Sequence, residues 1–487
     1  MINFPIPATD WSLLLPIAMV ALTGIFALII EMVQPKRDNG PIVAISLFGL
    51  LLAAIQLGIQ FQAPETVSFA GTVRRDAFSL AMQLVIVLGS MATILFSDAY
   101  LRAKKIPFAE FYPLMLWSTV GGMLMCASTN LLVIFVGLEI LSISLYVLAG
   151  ISRNEAKSEE SAMKYFLLGA FASGFLLFGV AQLYGATGSL DLNQISPAWQ
   201  TGDVNVRTLL VFGLGLLLIG MGFKASFFPF HQWTPDVYQG APTNVTAFMA
   251  TAGKTAAFAV LYRLLEASRD LSAFWVPALG VIAALTMLYG NIVALQQTDV
   301  KRILGYSSIS HAGYILVALM AHGLMPDKIG PQTVVYYALT YTFTTVGSFA
   351  VVALSARDSG ESTELADLRG LLQRDPISAV SLVVFMSALI GIPPGFSGLF
   401  GKLFIFQDAV AAGLLPLALV LAVSSIVSVS YYLNIAYQAV VAPREEGSEP
   451  VRVPAPGTIQ AACAVCVFVV VAAAIAITPI TNLIAPK

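Results

Sequence analysis

Fourteen stretches of this chain are too apolar and too long to end inside a soluble domain. A bilayer demands about 20 apolar residues for each crossing helix. Runs that meet this lie near 11–32, 42–62, 77–96, 110–128, 130–150, 162–184, 206–227, 243–267, 274–296, 303–322, 332–355, 377–394, 414–440 and 457–480. Only 11% of the residues are charged and 58% are hydrophobic, whereas soluble domains carry roughly 25% charged residues. The expected fold is an all-α polytopic membrane protein with about 14 transmembrane helices. The run from Trp11 to Met32 has no basic segment before it and is too long for a signal peptide, so it reads as the first span. A net charge of −2 without a basic patch gives no ground for nucleic-acid binding.

Lysine and arginine collect in cytoplasmic loops. Fourteen of the 25 fall after odd-numbered spans and seven after even-numbered ones, which places both termini outside. Four lysines are left that no loop claims: Lys164, Lys224, Lys254 and Lys402. Lys164 comes three residues into its run and has the simpler reading of reaching back to the interface. The others have no such escape. Lys254 is central in "NVTAFMATAGKTAAFAVLY", and Glu139 is central in "NLLVIFVGLEILSISLYVLAG", with apolar neighbours apart from Ser142 and Ser144. Lys224 precedes Pro229 and Pro235, and Lys402 follows Pro393, Pro394 and Gly395. Prolines break helices, so the short continuations at 228–240 and 398–412 read as second halves of discontinuous helices. Ionisable groups at such depth face a bundle interior or water and mark ion paths, and lysines beside broken helices fit an ion transporter. The structural alternative is that the buried charges only fix helix packing.

His231 and His311 lie near helix breaks or ends and are candidates to relay protons, although lone histidines are often simply hydrogen-bonded. His322 reads as a solvated helix end, and Arg263 as a helix-end cation, with membership of the buried network as its alternative. Segment 191–203 reads as an extracytoplasmic loop. "ESTELADLRGLLQRDP" reads as a short surface helix capped by Ser362 and Thr363. "GMGFKA" matches a dinucleotide fingerprint but has no βαβ unit around it. "CAVC" at 463–466 is flanked by hydrocarbon and fits neither a metal knuckle nor a redox pair. Three histidines cannot supply the axial ligands of a membrane cytochrome. No cofactor or metal is expected on this chain.

"GFKASFFPFHQWTPDVYQGAPTNVTAF" (222–248), "YSSISHAGY" (306–314) and "GIPPGFSGLFGKLFIF" (391–406) closely resemble the antiporter-like membrane subunits of respiratory complex I. The resemblance spans nearly the whole chain. Lys402 on the twelfth span and the chain end at 487 fit the N-type branch better than the M- or L-type. It implies two inverted five-helix repeats, each with a discontinuous helix: 110–268 and 269–440, after three N-terminal spans (1–109) and before a C-terminal loop and helix (441–487). It also implies that Glu139, Lys164, Lys224, Lys254, Lys402 and His311 carry proton translocation, with His231 a further candidate. Glu139 would pair with or leave Lys224. NAD, FMN, iron–sulfur clusters and quinone would sit elsewhere in the complex. The neighbours would be M-type and small K/J-type subunits in a bacterial inner membrane. The related alternative is a subunit of an Mrp-type cation/proton antiporter.

Overall fold

A computed structural model describes residues 9–33, 39–107, 109–357, 360–361, 363–443 and 457–484. The chain runs through α1 (Leu15–Val33), α2 (Gly40–Gln60), α3 (Ala77–Ala103), α4 (Phe111–Ala127), α5 (Leu131–Ala149), α6 (Ala156–Thr187), α7 (Val204–Ala225) and α8 (Trp233–Gly240). It continues through α9 (Thr243–Ala267), α10 (Ser272–Ala294), α11 (Val300–Leu324), α12 (Gln332–Val352), α13 (Pro376–Ile390), α14 (Phe396–Ala411), α15 (Leu415–Val440) and α16 (Gly457–Ile475). Twelve spans among the described residues are long and apolar enough to cross a membrane. Two further apolar helices, α4 with 17 residues and α13 with 15, occupy the predicted fourth and twelfth positions. Each predicted run is therefore a helix. The seventh is split into α7 and α8, and the twelfth into α13 and α14.

The least hydropathic spans, α9, α11 and α12, are enclosed along almost their whole length, whereas α1, α2, α6, α10 and α16 have only about a third of their residues buried. Lipid tails solvate an apolar helix as well as a protein interior does, so hydrocarbon-rich helices are left at the perimeter. Helices carrying serine, threonine, tyrosine and lysine are drawn inside, where those groups find partners. Close approach is paid for with small residues: a Cβ added at Gly137 of α5 would stand 2.9 Å from the Gly121 carbonyl oxygen of α4.

Several sequence expectations need correction. Helix α6 begins at Ala156, not near 162, and Lys164 is consequently more than two turns inside it. Segment 191–203 contains a 3-10 turn (Leu192–Gln194) and a short helix (Ile195–Thr201). The surface helix is two pieces, Leu365–Leu368 and Leu371–Arg374, parted at Gly370, whose φ of 72° is left-handed. Glu364 caps the first piece. The Thr363 hydroxyl instead donates to Asp299, the N-cap of α11, at 2.5 Å. Ser362 lies outside the described residues, as do Lys36, Arg37, Arg444, Arg452 and Lys487 of the loop-charge argument. Two short antiparallel hairpins were not expected; one pairs Thr66–Ser68 with Val73–Arg75, the other Ala356–Arg357 with Gly360–Glu361.

Arg263 is not a helix-end surface cation. It is 5% exposed and its Nη2 donates to both carboxylate oxygens of Asp76, at 2.9 and 3.0 Å. Asp76 is also the N-cap of α3, accepting from the Ser79 amide. Burial pushes the Asp76 carboxyl up, but Arg263, the Ser79 amide and Arg74 together outweigh it and hold it below the usual carboxylate range. Asp76→Asn leaves Arg263 buried and unpaired, and we expect it to lower stability by about 3–5 kcal/mol, measured as a drop in Tm in detergent. The carboxylate's contribution is complete above the ordinary carboxylate pKa and is lost as pH falls through the lowered one. The wild type therefore loses an increment of stability on acidification that Asp76→Asn lacks.

Candidate functional site

Both broken helices close their first half in the same way. Helix α7 ends at Ser226 (φ 66°), where the Phe227 amide reaches back to the Gly222 carbonyl at 2.8 Å. Helix α13 ends at Gly391 (φ 91°), where the Ile392 amide reaches the Ser387 carbonyl at 3.0 Å. These are Schellman-type ends, and they leave the remaining carbonyls open to other donors. Trp233, at the start of α8, returns its Nε1 to the Phe223 carbonyl at 2.9 Å, so the far half of the break braces the near half.

Lys224, Lys254 and Lys402 are 5%, 2% and 6% exposed. None of them forms an ion pair among the described residues. Lys224 Nζ donates to Ser142 Oγ (2.8 Å) and Tyr165 OH (3.0 Å). Lys254 Nζ donates to the carbonyl and hydroxyl oxygens of Ser308, at 2.9 and 2.6 Å. Lys402 Nζ donates to the Leu389 and Ile390 carbonyls at the end of α13 (2.8 and 3.0 Å) and to Ser425 Oγ (2.7 Å). The last carbonyls of a helix form the negative end of its dipole, so α13 supplies the counter-charge that no carboxylate provides. Each amine has at least one hydroxyl partner. A hydroxyl accepts from an ammonium and donates to the lone pair of a neutral amine, so these partners serve both protonation states without rebuilding the site.

The groups follow one another through the centre of the bundle. A Cβ at Gly253 would lie 3.8 Å from Lys224 Cε, so Lys224 packs beside the residue that precedes Lys254. A π-turn, Met249–Gly253, interrupts α9 immediately before Lys254; such single turns are frequent at functional sites. Tyr165 stacks on Trp233 (centroids 4.6 Å apart), Trp233 meets Tyr238 (6.0 Å), and Lys254 Nζ stands 6.0 Å from the Tyr238 ring. Ser308 lies one turn before His311 on α11. The His311 ring is held between two phenols, with Nε2 2.9 Å from Tyr432 OH and Nδ1 2.7 Å from Tyr337 OH. A cavity of about 10 Å³, lined by His311, Tyr337, Tyr341 and Lys402 among others, lies between the histidine and Lys402. That is room for about one water.

Three candidates stand apart from this line. Glu139 is half-buried on a face that also exposes Val136 and Ile143, and its Oε1 accepts from Ser173 of α6 at 2.5 Å. The expected Glu139–Lys224 pair is not formed; Ser142, one turn from Glu139, holds the lysine instead. Lys164, with 41% of its side chain exposed, bridges Glu160 (2.6 Å) and Asp236 (2.8 Å), and Asp236 also binds Arg302 (2.8 Å). Lys164 stands at the bundle's edge, in keeping with the simpler reading of a side chain that reaches the interface. His231 is buried in the α7–α8 break against Phe228 and Tyr289, and its Nδ1 has no hydrogen-bond partner among the described residues. Sequence reasoning missed Tyr165, Ser308, Ser425, Tyr337 and Tyr432. Only Ser308 had a signal, its one-turn spacing from His311 in "YSSISHAGY". His322 is not solvated either: it is 3% exposed and stacked on Tyr262 with centroids 3.8 Å apart.

A family profile described as "NADH:quinone oxidoreductase/Mrp antiporter, TM" matches residues 128–428. NADH-quinone oxidoreductase subunit N of Trichlorobacter lovleyi is 40% identical over 447 residues, covering 91% of this chain and 90% of the relative. A chain of respiratory complex I from Thermus thermophilus superposes with a TM-score of 0.81 at 35% identity, covering 96% of this chain and 98% of that one. A chain of the Mrp complex from Dietzia sp. has a TM-score of 0.83 at 21% identity, with 98% and 96% covered, and shares the fold.

Tyr337→Phe or Tyr432→Phe leaves one buried nitrogen of His311 without a partner. Each substitution is expected to lower stability by about 1–3 kcal/mol, read as a Tm shift in detergent. An unchanged Tm in both variants would show that the phenols do not hold the ring.

Proposed function

Because this chain belongs to the family of NADH:quinone oxidoreductase and Mrp antiporter membrane subunits, we propose that it is the N-type proton-translocating subunit in the membrane arm of a complex I. The observation that carries the assignment of residues is the hydroxyl partner at every step. Lys224 rests on Ser142 and Tyr165, Lys254 on Ser308, His311 on Tyr337 and Tyr432, and Lys402 on Ser425. Each group can gain or lose a proton while keeping its partner. The two helix breaks bring backbone carbonyls to the ends of the line, in segments 110–268 and 269–440 that form two inverted repeats.

In this reading Glu139 acts on Lys224 through space, not by a direct contact; its own partner is Ser173 and the lysine's is Ser142. Its half-exposed position suits a carboxylate that senses charge on a neighbouring M-type or K/J-type subunit. Lys164 and Asp236 then belong to the rim facing the basic-rich side, and His231 lines the first break within electrostatic reach of Lys254. NAD, FMN, iron–sulfur clusters and quinone would be held by other subunits, and the energy of quinone reduction would reach this chain as displaced charge. The complex would lie in a bacterial inner membrane. An Mrp-type antiporter shares the family profile and the fold, but the Mrp chain is 21% identical to this one against 35% and 40% for the complex I relatives.

The test is proton translocation by the assembled complex in vesicles, normalised to NADH oxidised. Replacing a relay group slows the proton transfer it mediates about 10²-fold or more, so Lys224→Ala, Lys254→Ala and Lys402→Ala should each lower the protons moved per NADH. Full translocation in all three variants, with the complex assembled, would end the proposal.

A further inference from the structure

A second group of ionisable side chains lies where α9, α11 and α14 end, beyond the line described above. His322 is in the last turn of α11, eleven residues after His311. Eleven residues are close to three turns at 3.6 residues each, so the two histidines share one face of α11, about 16 Å apart along it. Nδ1 of His322 is 2.6 Å from the Ile329 carbonyl oxygen. A carbonyl only accepts, so Nδ1 carries the hydrogen. In the neutral ring Nε2 then presents a lone pair. It has no hydrogen-bond partner among the described residues and faces Glu266 Oε2 at 3.8 Å. Two acceptors thus confront each other with space for one proton between them.

Resting on the functional reading above, we propose that His322 and Glu266 form a one-proton outlet, at which protons from the Lys402–His311 line leave this chain. A proton added to Nε2 makes an imidazolium whose N–H donates to the Glu266 carboxylate, a charge-assisted bond. The proton then passes to Oε2 and on to water, which returns Nε2 to its lone pair. Exposure gives the direction of release: the His322 side chain is 3% exposed and that of Glu266 48%.

The surroundings are suited to this. Tyr262 stacks on the imidazole and keeps the ring from turning. Arg263 is engaged through Nη2 by Asp76, which Arg74 also binds at 2.7 Å; neither arginine forms an ion pair with Glu266 among the described residues, although both lie within electrostatic reach of it. Arg269 is engaged by Asp327 at the rim. From the other side Asp408 of α14 lies within electrostatic range of His322 and beside Thr333, and its Oδ2 has no hydrogen-bond partner among the described residues. Asp408 follows Lys402 by about 9 Å along α14, and Thr333 is one turn from Tyr337, the phenol on His311. Asp408 thus lies along α14 on the stretch from the line towards the outlet.

The experiment uses the assembled complex in vesicles, recording protons released per NADH oxidised across a pH series. Glutamine at 322 keeps an amide to donate to Ile329 but cannot take a proton. Lys402→Ala measures the share of release that depends on this chain. We expect His322→Gln and Glu266→Gln each to remove about half of that share or more and to flatten the pH profile of what remains. Glu266 is half-exposed at a helix end, so its substitution tests the outlet even where His322→Gln fails to assemble. If Lys402→Ala lowers release while Glu266→Gln matches the wild type in yield and pH profile, the outlet is overturned and the functional reading survives. If Lys402→Ala itself changes nothing, the outlet is overturned, and the functional reading falls with it if Lys224→Ala and Lys254→Ala also translocate fully.

Discussion

The structure depends on how three lysine amines are kept at hydrocarbon depth without a carboxylate beside any of them. A charge in that position is tolerable only with its hydrogen bonds supplied from the protein. Ser142, Tyr165, Ser308, Ser425 and the last carbonyls of α13 do this. The demand dictates which helices are central. Helices α9, α11 and α12 are the poorest in hydrocarbon character and the most enclosed, because only there do their hydroxyls and amines find one another.

The two breaks are part of the same arrangement. A continuous helix spends its carbonyls on its own amides, whereas a helix stopped in mid-membrane leaves its last ones free. At α13 these are taken by Lys402, from the opposite half of the same broken span. At α7 the indole of Trp233 takes the Phe223 carbonyl, and Lys224 turns away to α5 and α6. The breaks share a backbone solution but differ in which group occupies the helix end. The second half of the chain therefore couples its lysine to a helix dipole and the first half does not.

Ionisable groups away from this line are paired on a different principle. Arg263 with Asp76, and Lys164 and Arg302 with Asp236, are held by carboxylates near the two faces of the bundle. Such pairs hold their charge firmly and suit anchoring. Groups held by hydroxyls keep the freedom to exchange protons. The contrast between ion-paired rims and a hydroxyl-lined centre separates scaffold from conduit, except at His322 and Glu266, which stand 3.8 Å apart without a hydrogen bond.

The hydropathy pattern alone determined the number of spans, the two interruptions, and which lysines could not reach an interface, because hydrocarbon thickness and proline chemistry act on consecutive residues. His311 was a candidate from its place near a helix end, whereas its one-turn neighbour Ser308 was missed. Tertiary structure decided the partners. Tyr165 meets Lys224 across 59 residues and Tyr432 meets His311 across 121, and nothing in the local sequence encodes such a meeting. It also decided that Glu139 stands off from Lys224, that Lys164 meets Asp236 across 72 residues, and that His322 is buried. Depth along a helix can be counted from sequence. The direction in which a side chain points around it depends on which other helices pack there.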